Sequence, residues 1–82
     1  MKYYVYILQS LVKEHKHYTG HSMDLDLRLK QHNYGKTKST SPFKPWKIIY
    51  FESFDSREEV VMREKYFKSG FGREYLKKIL AP

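Results

Sequence analysis

The sequence predicts an α+β fold: a small three-stranded antiparallel sheet carrying helices, in the order β-β-α-β-α-α. Three observations carry this. The runs "KYYVYILQS" (2–10) and "WKIIYFESF" (46–54) are dense in β-branched and aromatic residues, as strands are. In "SREEVVMREKYFK", Ser56 and Glu59 stand at capping-box spacing ahead of a helical pattern. A chain of 82 residues, finally, has room for one small domain, expected to span 1–82.

Each element follows in order. Residues 2–10 are apolar on both faces, with Tyr3, Val5 and Ile7 opposing Tyr4, Tyr6 and Leu8, which suits a central strand covered on both sides. "LVKEHK" is a polar connection, and "HYTGHS" (17–22) is a short second strand pairing back onto the first. Gly20 inside it marks a bulge or a close approach by another group. Two templates compete in "MDLDLRLKQHNYG". Leu25, Leu27 and Leu29 alternate like a strand, but Asp24 makes an N-cap, Gly35 a stop, and Lys30 and His32 suit a helix C-terminus, so 24–34 is read as a helix. "KTKSTSPFKP" (36–45) is a basic, hydroxyl-rich loop leading into the third strand. The capped helix from Ser56 runs to about Ser69, "GFG" breaks it, and "REYLKKIL" (73–80) forms a last short helix with Leu76, Ile79 and Leu80 on one face.

Composition narrows the function classes. Without cysteine there are no disulfides and no thiolate zinc sites. Eight tyrosines, five phenylalanines and a tryptophan supply the core instead, and the tyrosines bring hydroxyls to its margin. A net charge of +7 points to a polyanionic partner, nucleic acid ahead of an anionic membrane. No apolar run approaches the ~18 residues of a spanning helix. "MKYYVYILQS" has too many tyrosines and too short an apolar run for an export signal, so a cytoplasmic location is expected.

Polar residues fall where apolar ones belong. Val60, Phe67 and Phe71 form a helical stripe whose missing position is Glu64, a carboxylate that is costly to bury without a cation. On helix 24–34, Leu25, Arg28, Leu29 and His32 share the sheet-facing stripe. One reading is a buried Arg28–Glu64 ion pair, which is weak evidence for stability because desolvation rivals the attraction. The other is a site, since desolvated charges beside tyrosines in a basic protein are the pattern of one.

The spacing of these residues resembles the GIY-YIG nuclease family, in particular its small stand-alone members. "YVY" (4–6) and "YTG" (18–20) stand for the two name-giving motifs, with twelve positions from Tyr6 to Tyr18. Arg28 follows Tyr18 by ten, then comes "HN.G" (His32, Asn33, Gly35), then Glu64 in an "RE..FK" helix, so the resemblance covers nearly the whole chain. The first motif lacks its glycine, His21 stands where several members carry Lys, and "GREYLKK" lacks the asparagine that some members have there.

The resemblance implies a sheet with the first strand in the middle and Tyr6, Tyr18, Arg28, His32 and Glu64 converging on one face. It implies a divalent-metal-dependent endonuclease hydrolysing DNA phosphodiester bonds, with RNA as a further possible substrate. Glu64 would be the single protein ligand of one Mg²⁺ (or Mn²⁺), and Arg28 would hold the scissile phosphate, where a planar fork outperforms Lys. Tyr18 would be the general base. Phenols ionise near pH ~10, so a phenolate at neutral pH costs about 4 kcal/mol without nearby cations. Tyr6 and His32 would hold the geometry. Lys36, Lys38 and Lys44 in the basic loop, with His21, are candidates for nucleic-acid contacts. His15, His17 and His21 also hint at transition-metal binding, with solvated loop histidines the plainer reading. Family members usually carry a further DNA-binding domain, for which 82 residues leave no room. Specificity is then expected from DNA structure or from a protein partner. The competing readings are a non-catalytic nucleic-acid-binding module on the same scaffold and, more distantly, a phosphotransfer or protein-interaction domain with a buried ion pair.

Overall fold

The computed structural model describes residues 1–81, and Pro82, the last position of the expected domain, lies outside the described residues. The order is β1 (Tyr3–Ser10), β2 (His17–Ser22), α1 (Leu25–Asn33), β3 (Trp46–Phe54), α2 (Arg57–Lys68) and α3 (Gly70–Leu80), with a 3₁₀ turn at Ser41–Phe43 before β3. The sheet runs β2-β1-β3 with both pairings antiparallel, so β1 is central, and the α+β class and element order are as the sequence predicts.

Alternation along β1 divides the core in two. Val5 and Ile7 face α2 and α3, packing on Val60 and Phe67. Tyr6 and Leu8 face α1 and the connection to β3, packing with Trp46, Leu25 and Leu29. In β3 this alternation is interrupted. Ile7 pairs with Tyr50 but Leu8 with Ile48, so Ile49 is an extra residue, a β-bulge. Beyond it, Tyr50 and Phe54 join the α2 side while Ile48 stays on the α1 side. The bulge also puts Glu52 within reach of α2, where Arg63 grips it through Nε at 2.8 Å and an Nη at 3.2 Å. The Arg63 guanidinium lies 4.6 Å from the centre of the Phe67 ring, so α2 is clamped to β3 by a bidentate pair backed by an aromatic face.

The helical template wins in α1. Asp24 Oδ1 accepts the Leu27 N–H at 3.1 Å, and Leu27, the middle residue of the alternating leucines, is 52% exposed while Leu25 and Leu29 reach the core. Asn33 ties the end of α1 to the start of β3: its Oδ1 accepts the Trp46 N–H at 2.6 Å and its Nδ2 donates to the Trp46 carbonyl at 3.2 Å.

Three expectations fail in the last third. Phe71 is 85% exposed and lies outside the stripe of Val60 and Phe67. The helix axis changes at Ser69, which ends α2 and caps α3 in one extended residue whose hydroxyl accepts the Gly72 N–H at 3.2 Å. "GFG" is therefore the first turn of α3 and not a break between helices. Gly72 is there because a Cβ at that position would collide with the Tyr66 carbonyl of α2. Of the apolar residues expected on one face of α3, Leu76 and Leu80 pack on the core and Ile79 is left largely exposed.

Candidate active site

The α1 side of the sheet holds a chain of polar groups in an otherwise apolar layer. Arg28 Nε donates to the Tyr6 hydroxyl at 3.4 Å, that hydroxyl lies 3.0 Å from His32 Nε2, and His32 Nδ1 lies 2.9 Å from Thr40 Oγ1. His32 is 0% exposed, and Thr40 and Tyr6 are buried with it. The proton positions follow from the ends of the chain. Thr40 spends its hydroxyl proton on the Thr37 carbonyl at 3.3 Å, so its oxygen can only accept from His32. Nδ1 therefore carries the imidazole proton and Nε2 the lone pair. Tyr6 must donate to Nε2, which turns its oxygen lone pairs toward Arg28. Burial, with the Arg28 charge adding to it, holds the His32 pKa below the ordinary imidazole value, so the ring is neutral at pH 7. Burial likewise pushes the Tyr6 phenol up against the pull of Arg28, which keeps it protonated as the donor that Nε2 requires.

Gly20 makes room for this arrangement. It is the β2 residue paired with Tyr6, and a Cβ there would stand 2.7 Å from the Tyr6 hydroxyl and 3.1 Å from the Tyr18 ring. The close approach expected at the glycine of "YTG" is thus by the Tyr6 phenol. Tyr18, paired with Leu8 on the same side, sets its ring 5.0 Å from the His32 ring and 6.5 Å from that of Tyr6. Arg28 Nη1 donates to Gln31 Oε1 at 3.0 Å, and the guanidinium forms no ion pair among the described residues.

Glu64 arrives from the other layer. Strand parity puts His21, paired with Val5, on the α2 side, and its Nδ1 meets Glu64 Oε1 at 2.6 Å. Lys68, one turn further along α2, reaches Glu64 Oε2 at 3.0 Å, and the same ammonium stands 6.0 Å from the centre of the Tyr18 ring. The Arg28–Glu64 ion pair does not form. Nor do the five residues gather on one face: four belong to the α1 side, and Glu64 meets them around the β2 edge through His21 and Lys68. Burial tends to raise the Glu64 pKa, but hydrogen bonds from His21 and Lys68 outweigh it and hold the group below its ordinary value.

The donor set suits a hard divalent cation. The Glu64 side chain keeps 19% exposure, and each carboxylate oxygen has a lone pair beyond the one that His21 or Lys68 uses. Among the described residues no three His, Cys, Asp or Glu come close enough to hold a metal. That disposes of a His15/His17/His21 cluster, while one carboxylate oxygen completed by water and phosphate is a set that Mg²⁺ accepts. Lys36, Lys38 and Lys44 are exposed on the connection between α1 and β3 that also carries Thr40. His21 bonds Glu64 while its side chain keeps 35% exposure. Sequence reasoning missed Thr40, a loop hydroxyl with no periodic signal, and Lys68, whose signal was its spacing four residues from Glu64.

Comparison with known proteins identifies the family. The family described as the GIY-YIG catalytic domain matches residues 2–78. A UPF0213 protein of Clostridium perfringens is 42% identical over 66 residues, 79% of this chain and 69% of that one. A UPF0213 protein of Staphylococcus saprophyticus is 33% identical over 98% of this chain and 95% of its own. The solution NMR structure of a UPF0213 protein from Bacillus halodurans superimposes with a TM-score of 0.56 at 34% identity, over 96% of this chain and 85% of that one. The chain belongs to the GIY-YIG family. No helix among the described residues is long and apolar enough to cross a membrane.

Two outcomes follow from the relay. Thr40→Val keeps the shape but removes the acceptor of the Nδ1 proton, so His32 should switch to the Nε2–H tautomer, read from its ¹⁵N shifts, and stability should fall by about 1–3 kcal/mol. Thr40→Ser should restore the parent tautomer. Acid should also act early. A histidine whose folded pKa lies below its unfolded value of about 6.5 contributes stability that is present above that pH and lost as pH falls through the folded value. Urea midpoints should decline from about pH 6.5 downward, and His32→Gln should remove that part of the slope, leaving the carboxylate losses at lower pH.

Proposed function

We propose that this GIY-YIG protein is an endonuclease that hydrolyses phosphodiester bonds in DNA with the help of a divalent metal ion. The observation that carries the reading is the polarised chain from Thr40 to Arg28. It spends buried polar groups on aiming one guanidinium that has no carboxylate partner among the described residues, beside an accessible phenol. A guanidinium so placed is suited to a phosphate, whose charge it meets bidentately.

Each residue then has a role. Arg28 binds the scissile phosphate and stabilises the charge that develops on its oxygens. Tyr6, fixed as a donor to His32, holds the guanidinium from behind and does not itself move a proton. Tyr18 accepts a proton from the attacking water as the phosphorus–oxygen bond to the leaving group breaks. The Lys68 ammonium stands 6.0 Å from the centre of its ring. Glu64 would hold Mg²⁺ or Mn²⁺ through one oxygen, oriented by His21. Such an ion, when bound, neutralises charge on the phosphate and on the departing oxygen.

A second reading has one observation in its favour. Both Glu64 oxygens already accept hydrogen bonds from cationic or ionisable side chains, as in a non-catalytic nucleic-acid-binding module on the same scaffold. The two readings part on nicking of supercoiled plasmid. As an endonuclease the protein nicks in Mg²⁺ or Mn²⁺ and is silent in EDTA. Glu64→Ala should then abolish nicking and leave DNA affinity equal or higher, because a negative charge near phosphate is gone. Tyr18→Phe should bind DNA like the parent and cleave roughly 10²-fold or more slowly in single turnover. Binding without nicking in the parent protein would decide for the module, and an undiminished Tyr18→Phe rate would remove the base from Tyr18.

A further inference from the structure

A groove of about 850 Å³ opens beside Tyr18 on the α2 side of the β2 edge and runs along α3. Its rim carries exposed cations from two helices, Lys68 at the end of α2 and Arg73 and Lys77 on α3; Lys16, just before β2, also lines it, with its ammonium 4.9 Å over the Phe43 ring. Its floor is apolar, formed by Phe67, Leu76 and Leu80. No acidic side chain lines it. The other two concavities of comparable size differ in this respect, one holding Glu58 and Glu59 and the other Asp24 and Asp26. Of these three concavities among the described residues, the groove that begins at Tyr18 is the one with cations and no carboxylate in its lining. Lys77 is bridged to Glu74 at 3.4 Å, an exposed pair of the kind that is weak and exchanges readily for other anions, whereas Lys68 is held on Glu64. Lys16 and Arg73 have no carboxylate partner among the described residues.

We propose that this groove is a second nucleic-acid surface, taking the DNA strand as it leaves the scissile phosphate; the inference rests on the nuclease reading above. Phosphates run along the cationic rim, and the sugars and base edges lie on the half-buried Leu76 and Leu80 of the floor, a pairing of charge and apolar contact that suits a polynucleotide. The lysines of the 36–45 loop lie on the α1 side of the sheet, so the strand crosses the β2 edge at Tyr18 with basic surface on both sides of it. The charge of the chain is thereby divided between two surfaces that meet where Tyr18, Arg28 and Glu64 meet.

The test measures binding with cleavage switched off. A fluorescein-labelled DNA oligonucleotide is titrated with the protein in EDTA, by anisotropy, across a salt series. Arg73→Ala/Lys77→Ala should weaken binding roughly tenfold and lower the salt slope by about 1.5, the share of two phosphate contacts. Arg57→Ala/Lys65→Ala removes the same charge from exposed positions of α2 outside the groove and should change both far less. Equal losses in the two pairs would mean net charge alone, and an unchanged Arg73→Ala/Lys77→Ala would mean no contact; either overturns the proposal. In the parent protein the same oligonucleotide should shift the methyl resonances of Leu76 and Leu80, and unmoved methyls would remove the floor from the site. Nicking of plasmid by a protein whose groove variant binds like the parent would sink the groove and leave the nuclease reading standing. Selective loss of binding in a protein that never nicks would do the reverse.

Discussion

A buried phenol oxygen with no room to spare organises the site of this molecule. Tyr6 lies on the central strand, and its hydroxyl must find partners inside a layer built from Leu8, Trp46 and Leu29. Desolvating that group without hydrogen bonds costs several times what one such bond contributes. His32 supplies the acceptor, Arg28 the donor, and Gly20 the space. Each of the three is fixed in turn by something else: the imidazole by Thr40, the end of α1 by Asn33 on Trp46, and the glycine by the β1–β2 register. The polar chain is satisfied at every member, which makes it rigid, and its outward end is a guanidinium. Stability and function thus draw on the same atoms.

The second constraint is the thickness of the sheet. Glu64 belongs to the layer opposite Tyr6, and no helix-borne carboxylate can pass through a strand. It reaches the same neighbourhood only at the β2 edge, where β2 has a glycine on one side and His21 on the other. His21 and Lys68 hold the carboxylate charged and oriented there. An edge strand is often a liability for a small sheet, and here it is the place where both layers bring polar groups side by side.

Much of the fold was legible in the sequence because local signals agreed. The strands at 2–10, 17–22 and 46–54 and the caps at Asp24 and Ser56 stand within a residue or two of the observed elements. What was not legible depended on tertiary geometry. "GFG" carries every local mark of a helix break, and only the proximity of Tyr66 makes Gly72 a point of close helix crossing. Phe71 fitted an apolar stripe of α2 only if the helix continued straight through Ser69. For the site, the spacing of Tyr6, Tyr18, Arg28, His32 and Glu64 identified the participants but not their sides of the sheet. The parity of β2 held part of the answer, since Tyr18 and His21, three residues apart, must point to opposite faces. Thr40 gave no sign, because a hydroxyl in a loop rich in hydroxyls has no periodicity to betray its burial.

The central claim is that the position of one phenol, held open by one glycine, sets the chemistry around it. Gly20→Ala tests it most directly, since the added methyl would meet the Tyr6 hydroxyl at 2.7 Å. The measurement is single-turnover nicking of supercoiled plasmid in Mg²⁺ by the folded variant, with DNA affinity determined alongside. Displacing the phenol frees Arg28 and His32 from their common partner, and a misplacement of that order should slow cleavage about 10²-fold with affinity nearly kept. Cleavage by Gly20→Ala at the parent rate would contradict the account, leaving Tyr6 a core residue and nothing more.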